Sequence, residues 1–183
     1  MIRIFVLILF AAIPGFTQTT WKLRIDEDSI RIWTGFTDES RIKTIRSEFT
    51  LKASREALLR ALMQVERYPE WQYNALDCRV VEKISATEML YYCEVAAPWP
   101  VANRDMVIRL KVLEGPGPGV LRVTTHSDDY PFPGRAELIR VPMSAAEWYI
   151  KQVGPEMLKV GYTIRVDPGG SVPAWVINLV AAQ

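Results

Sequence analysis

Cys78-Arg79-Val80-Val81-Glu82-Lys83-Ile84-Ser85-Ala86-Thr87-Glu88-Met89-Leu90-Tyr91-Tyr92-Cys93-Glu94-Val95 is a pair of strand-like runs about a polar turn at Ser85-Ala86. That is the signature of an antiparallel hairpin. Opposed residues in a symmetric hairpin have a constant index sum, so a centre between residues 85 and 86 pairs Lys83 with Glu88, Val80 with Tyr91 and Cys78 with Cys93. The opposite charges of Lys83 and Glu88 suit this register. Two readings of the cysteines stay open: a disulfide across directly opposed strand residues, or two small buried thiols.

The same texture runs on to Val166, almost entirely strands with turns between them. Gly115-Pro116-Gly117-Pro118-Gly119 is one such turn, and its prolines lack the amides that cradle phosphates. Upstream, Trp21–Ile25 and Ile30–Trp33 alternate about the acidic turn Asp26–Ser29, and Lys43–Leu51 alternates again. The period then changes. Ser54 is a helix N-cap with Glu56 in the first turn, and Leu58, Ala61, Leu62 and Val65 form the apolar stripe. Pro69 is expected to end this helix at Tyr68. After Asp167-Pro168-Gly169-Gly170 breaks the sheet, Ser171 caps a final helix through Val172, Pro173 and Trp175. So long an antiparallel sheet curls, and the terminal helix is the element to fill its open side.

Ahead of the domain, Arg3 and the ten apolar residues Ile4–Ile13 precede small residues at Gly15 and Thr17. The run is only ~15 Å long as a helix, about half a bilayer core. Charge, short apolar stretch and small-residue site describe a secretory signal peptide over residues 1–17, which places the mature domain, residues 21–183, in the periplasm or outside the cell. No other apolar stretch approaches the length of a membrane span.

With 22 basic against 21 acidic side chains, the chain has no excess of cations for nucleic acid. Its single histidine, His126, alternates with Arg122 and Thr124 and faces solvent, so metal sites and catalytic imidazole pairs are not expected. Alternation puts Met89, Tyr91, Cys93 and Val95 on one face. It does the same for Ala146, Trp148 and Ile150, and for Leu158, Val160, Tyr162, Ile164 and Val166. The interior is therefore apolar and aromatic, the composition of a packed core or of a ligand-lined tunnel. Arg104 breaks the pattern by falling on the inward face with Met106, Ile108, Leu110 and Val112. A buried guanidinium needs a carboxylate, water or an anionic ligand group, unless it reaches solvent from the strand end.

Ala97-Pro98-Trp99-Pro100-Val101-Ala102-Asn103-Arg104-Asp105-Met106-Val107 resembles the START family of lipid-transfer domains, in which a proline-flanked loop precedes Arg-Asp-aromatic-Val. Asp167-Pro168-Gly169-Gly170-Ser171-Val172-Pro173-Ala174-Trp175-Val176-Ile177-Asn178 is similar to the stretch that opens the family's last helix, and Trp71 resembles its tryptophan after the first helix. Met106 stands where the family has an aromatic, and the chain stops at Gln183, which makes the last helix short.

The resemblance implies an α+β helix-grip fold, a curved antiparallel sheet around a C-terminal helix with an internal hydrophobic cavity. It implies non-covalent binding of a lipid, and its transfer; the sequence shows no HExxH, no GxSxG, no paired metal ligands and no Cys-His constellation, so neither a cofactor nor catalysis is expected. The side chains expected at the ligand are Arg104, Tyr91, Met106, Trp148, Tyr162, Trp175 and Asn178, with Glu88 or Glu94 as the acidic partner of Arg104. Transient membrane contact and a monomeric state accompany that expectation. The alternatives are a helix-grip enzyme, cyclase- or hydrolase-like, and an envelope scaffold with a filled core.

Overall fold

A computed structural model describes residues 20–36 and 42–170. The expected leader over residues 1–17 and the expected final helix, with Trp175 and Asn178, lie outside the described residues.

Strands β1 (Lys22–Glu27) and β2 (Ile30–Gly35) are joined by Asp28 and Ser29, whose φ values of 50° and 64° give a two-residue turn matched to strand twist. β3 (Thr44–Leu51) follows and leads into helix α1 (Arg55–Met63). The remaining strands are β4 (Ala75–Lys83), β5 (Glu88–Val95), β6 (Arg104–Glu114), β7 (Val120–Ser127), β8 (Ile139–Arg140), β9 (Met143–Gly154) and β10 (Met157–Asp167). They form one sheet in the order β1-β2-β3-β10-β9-β7-β6-β5-β4, antiparallel throughout, with the two-residue β8 parallel to β6.

The alternation sets the inner face. Tyr91 opposes Val80 and Ile108, Trp148 opposes Tyr162 and Val123, and Ile150 opposes Val160 and Leu121. Helix α1 and the following turn cover this face. Leu62, Val65 and Tyr68 join Met89, Leu110, Leu121, Val123, Ile150, Leu158 and Val160 in one buried cluster. Burial of such side chains contributes roughly 25 cal/mol per Å² and is what holds a short helix on the sheet.

The hairpin register is partly as expected. Cys78 opposes Cys93 and Val80 opposes Tyr91, with the two cysteine Cα atoms 4.2 Å apart and their sulfurs in contact. Lys83, however, opposes Met89 rather than Glu88, because Val81 is an extra residue that shifts the ladder between Val80 and Glu82. Glu88 turns to the next strand instead, 2.9 Å from Arg109 and 3.3 Å from Lys111.

Ser54 caps α1 as its sequence suggests, its Oγ accepting from the Ala57 amide at 3.2 Å. The helix stops at Met63, not at Tyr68. Val65–Glu70 winds as a 3-10 helix with Pro69 inside it. In that tighter winding residues three apart eclipse, so Val65 and Tyr68 both face the sheet. The Tyr68 hydroxyl donates to the Leu62 carbonyl at 2.6 Å, satisfying an acceptor near the helix end.

The stretch from β7 to β9 also departs from the all-strand reading. Most of residues 128–138 is loop, folded over the outer face of β5 and β6. Phe132 stacks on Tyr92 at 4.6 Å between centroids, Arg135 pairs with Glu94 at 2.7 Å, and Arg140 grips Asp105 through two bonds of 2.8 and 3.0 Å. That cover is why Leu90, Tyr92, Glu94, Asp105 and Val107 are buried although alternation points them outward.

Candidate functional site

A cavity of about 250 Å³ lies between the inner face of the sheet and the α1 end of the molecule. The sheet supplies Tyr91 from β5, Thr125 from β7, Trp148 from β9 and Tyr162 from β10. The helical segment supplies Leu62 and Tyr68, and the turn behind it Trp71, Gln72 and Tyr73. Among the described residues, none that lines it carries a formal charge.

The rings pack mainly on one another. Tyr68 meets Trp71 edge-on at 5.0 Å and Tyr91 edge-on at 5.7 Å, and Trp148 lies tilted over Tyr162 at 4.4 Å. Burial pushes the Tyr91 phenol well above its ordinary range, and raises those of Tyr68 and Tyr162 for the same reason. All three therefore stay protonated at neutral pH and act as neutral donors. While the Tyr68 hydroxyl is spent on Leu62, neither the Tyr91 nor the Tyr162 hydroxyl has a hydrogen-bond partner among the described residues.

Of the residues the sequence points to, the structure brings Tyr91, Trp148 and Tyr162 together at this cavity. Arg104 and Met106 are elsewhere. Met106 packs, half-buried, against the core cluster. Arg104 is buried on the inner side at the start of β6, so it does not reach for solvent. Its Nε donates to the Pro168 carbonyl at 3.3 Å and its Nη1 to the Ala102 carbonyl. Burial lowers its pKa from the usual guanidinium range. Neither Glu94 nor Glu88 is its partner, since Arg135 holds the first and Arg109 with Lys111 the second.

The guanidinium thus ties the Pro98–Asn103 loop to the Asp167–Gly170 turn, two segments far apart in sequence. The turn needs its glycines: Gly169 and Gly170 sit at φ 66° and 73°, and a Cβ on Gly169 would lie 2.9 Å from the Pro142 ring. The Gly169 amide donates to Asp167 Oδ1 at 2.9 Å, which closes the turn.

Sequence reasoning did not pick out Tyr68, Gln72, Tyr73 or Thr125 as lining residues. A 3-10 spacing from Val65 to Tyr68 is the signal that was available for the first. Thr125 sits on the inner face two residues along β7 from Val123, a polar residue in an apolar row.

The family model for the START domain matches residues 13–183. Mouse phosphatidylcholine transfer protein is 27% identical over 172 residues, covering 92% of this chain and 79% of that protein. Human START domain-containing protein 10 is 25% identical over 164 residues, 88% of this chain, which spans just over half (56%) of the relative's length. An uncharacterised protein of Pseudomonas aeruginosa is 29% identical over 159 residues, 86% of this chain and 77% of that one. Among solved structures, a STAR-related lipid transfer protein fragment from Xanthomonas axonopodis superposes with a TM-score of 0.80 at 25% identity, covering 88% of this chain and 90% of that chain. The family match spans both motifs that Arg104 joins and every residue of the cavity, and the chain belongs to the START domain family.

Proposed function

We propose that this protein binds one lipid non-covalently in the cavity beneath Tyr91, Trp148 and Tyr162, and carries it between membranes. The observation behind this reading is the cavity itself: an aromatic space on the inner face, lined among the described residues by uncharged side chains, two of them tyrosines whose hydroxyls have no partner there and can orient a ligand. Apolar burial with a few placed polar groups is what binding requires. The phenols, kept neutral by burial, are poor bases, which favours binding over turnover.

Access is proposed at the end of the sheet where Trp71 and Tyr73 line the cavity and also reach solvent, Tyr73 at 88% exposure. The Ala96 amide donates to the Asn74 carbonyl at 2.8 Å, which brings the loop bearing Trp99 to the same end. Trp99 is 92% exposed. Exposed tryptophan and tyrosine suit the boundary between headgroups and acyl chains, where one side of the ring is apolar and the other wet.

One experiment separates binding from docking. Thr125→Phe fills the cavity from a residue that faces it, and should reduce saturable binding of a fluorescent lipid at least about tenfold. Trp99→Ala should leave equilibrium binding unchanged and slow transfer between vesicles. Full binding by the Thr125→Phe protein would place the ligand elsewhere. Unchanged transfer by the Trp99→Ala protein would remove the docking role.

A further inference from the structure

We propose that the cavity selects a lipid whose polar end is uncharged and accepts hydrogen bonds, such as a diacylglycerol or another hydroxyl- or carbonyl-bearing lipid, over lipids carrying a phosphate. This rests on the reading that the cavity is the lipid site, and narrows it to a ligand class.

Three observations carry the inference. The first is the lack of charge: Tyr68, Tyr91, Thr125, Trp148 and Tyr162 surround the space, with no lysine, arginine or carboxylate lining it among the described residues. A phosphodiester brought there would lose part of its water without gaining a counter-ion from these side chains, an unfavourable exchange.

The second concerns the nearest candidate cation. Arg104 shares the inner face, yet it is not among the lining residues, and two of its donors are held by the carbonyls of Pro168 and Ala102. Turning it towards a ligand would break the link between the Pro98–Asn103 loop and the glycine turn.

The third observation is donor chemistry. Tyr91 is buried, and neither its hydroxyl nor that of Tyr162 has a hydrogen-bond partner among the described residues. Both tyrosines line the cavity, so a carbonyl or hydroxyl of a bound lipid can supply the acceptor. The ring faces are less free than the hydroxyls. Tyr68 is boxed by Trp71 and Tyr91, and Trp148 covers Tyr162, so the pocket offers phenol donors more than open faces for a quaternary ammonium.

The test uses short-chain lipids of identical acyl composition: dioctanoylglycerol, dioctanoylphosphatidylcholine and dioctanoylphosphatidic acid, titrated into the delipidated protein and read by native mass spectrometry. The glycerol lipid is expected to bind at least about tenfold more tightly than either phospholipid. Tyr91→Phe and Tyr162→Phe, which keep the ring, should each weaken it about 2- to 10-fold and leave the phospholipids unmoved. Equal or tighter binding of either phospholipid overturns the inference and leaves the lipid site standing. So does an unchanged affinity in both phenylalanine variants. Binding of none of the three overturns the site reading, and the inference with it.

Discussion

Arg140→Met is expected to lower the unfolding free energy by about 3–5 kcal/mol, the usual cost of stranding one partner of a buried ion pair. Asp105 is only 1% exposed, and both of its carboxylate oxygens are taken by Arg140 at 2.8 and 3.0 Å. Methionine keeps the apolar stem that packs under the 128–140 loop and removes only the charge. The carboxylate is then left in a site closed to water.

The reverse substitution should cost distinctly less. The Arg140 side chain is 37% exposed and can be hydrated once Asp105→Asn removes the charge. Urea unfolding of both variants checks the asymmetry, provided that the slope with denaturant is unchanged. Equal losses in the two variants would mean that burial of Asp105 is not what makes the pair matter. The pair's consequence extends beyond stability, because Arg140 belongs to β8, which holds the loop against the outer face and so fixes Tyr92 and, on the opposite face, Tyr91.

Gly169→Ala should cost about 2–4 kcal/mol: roughly 1–2 for a side chain at positive φ, the rest for the collision. The added Cβ would sit 2.9 Å from the Pro142 ring and 3.2 Å from the Arg140 carbonyl, neither of which is a flexible side-chain end. Gly119→Ala is the matched control. Its φ of 71° is nearly the same, and nothing lies within 4 Å of the new atom, so it should lose only the conformational part. Thermal or urea unfolding of the two variants measures the difference directly. Equal losses would show that the packing of the turn against Pro142 is loose.

Much of the fold is legible in the alternation, because period-two patterning is a property of each strand by itself. Tyr91, Trp148 and Tyr162 were found in this way: each lies in an apolar row, and the ladder brings Trp148 opposite Tyr162. What the sequence could not reveal are features whose cause lies in a distant segment. Val81 reads as an ordinary strand residue, yet as the extra residue of a bulge it moves Lys83 from Glu88 to Met89. Asp105 alternates outward and looks like a solvated charge until β8, 35 residues on, covers it with Arg140.

Arg104 shows both sides of the same limit. Its inward direction followed from its neighbours in β6, but its acceptors are backbone carbonyls, which no side-chain pattern announces. Tyr68 was misread for a more local reason. Helical and 3-10 spacing differ by only a fraction of a residue per turn, and Pro69 is compatible with either reading at that point.

Mass spectrometry of the purified protein under native and then denaturing conditions tests the central claim, that the cavity holds a lipid, most directly. The account predicts a single stoichiometric lipid, lost on denaturation and missing from the Thr125→Phe variant. A protein that is empty as purified and stays empty when offered both neutral lipids and phospholipids would contradict it.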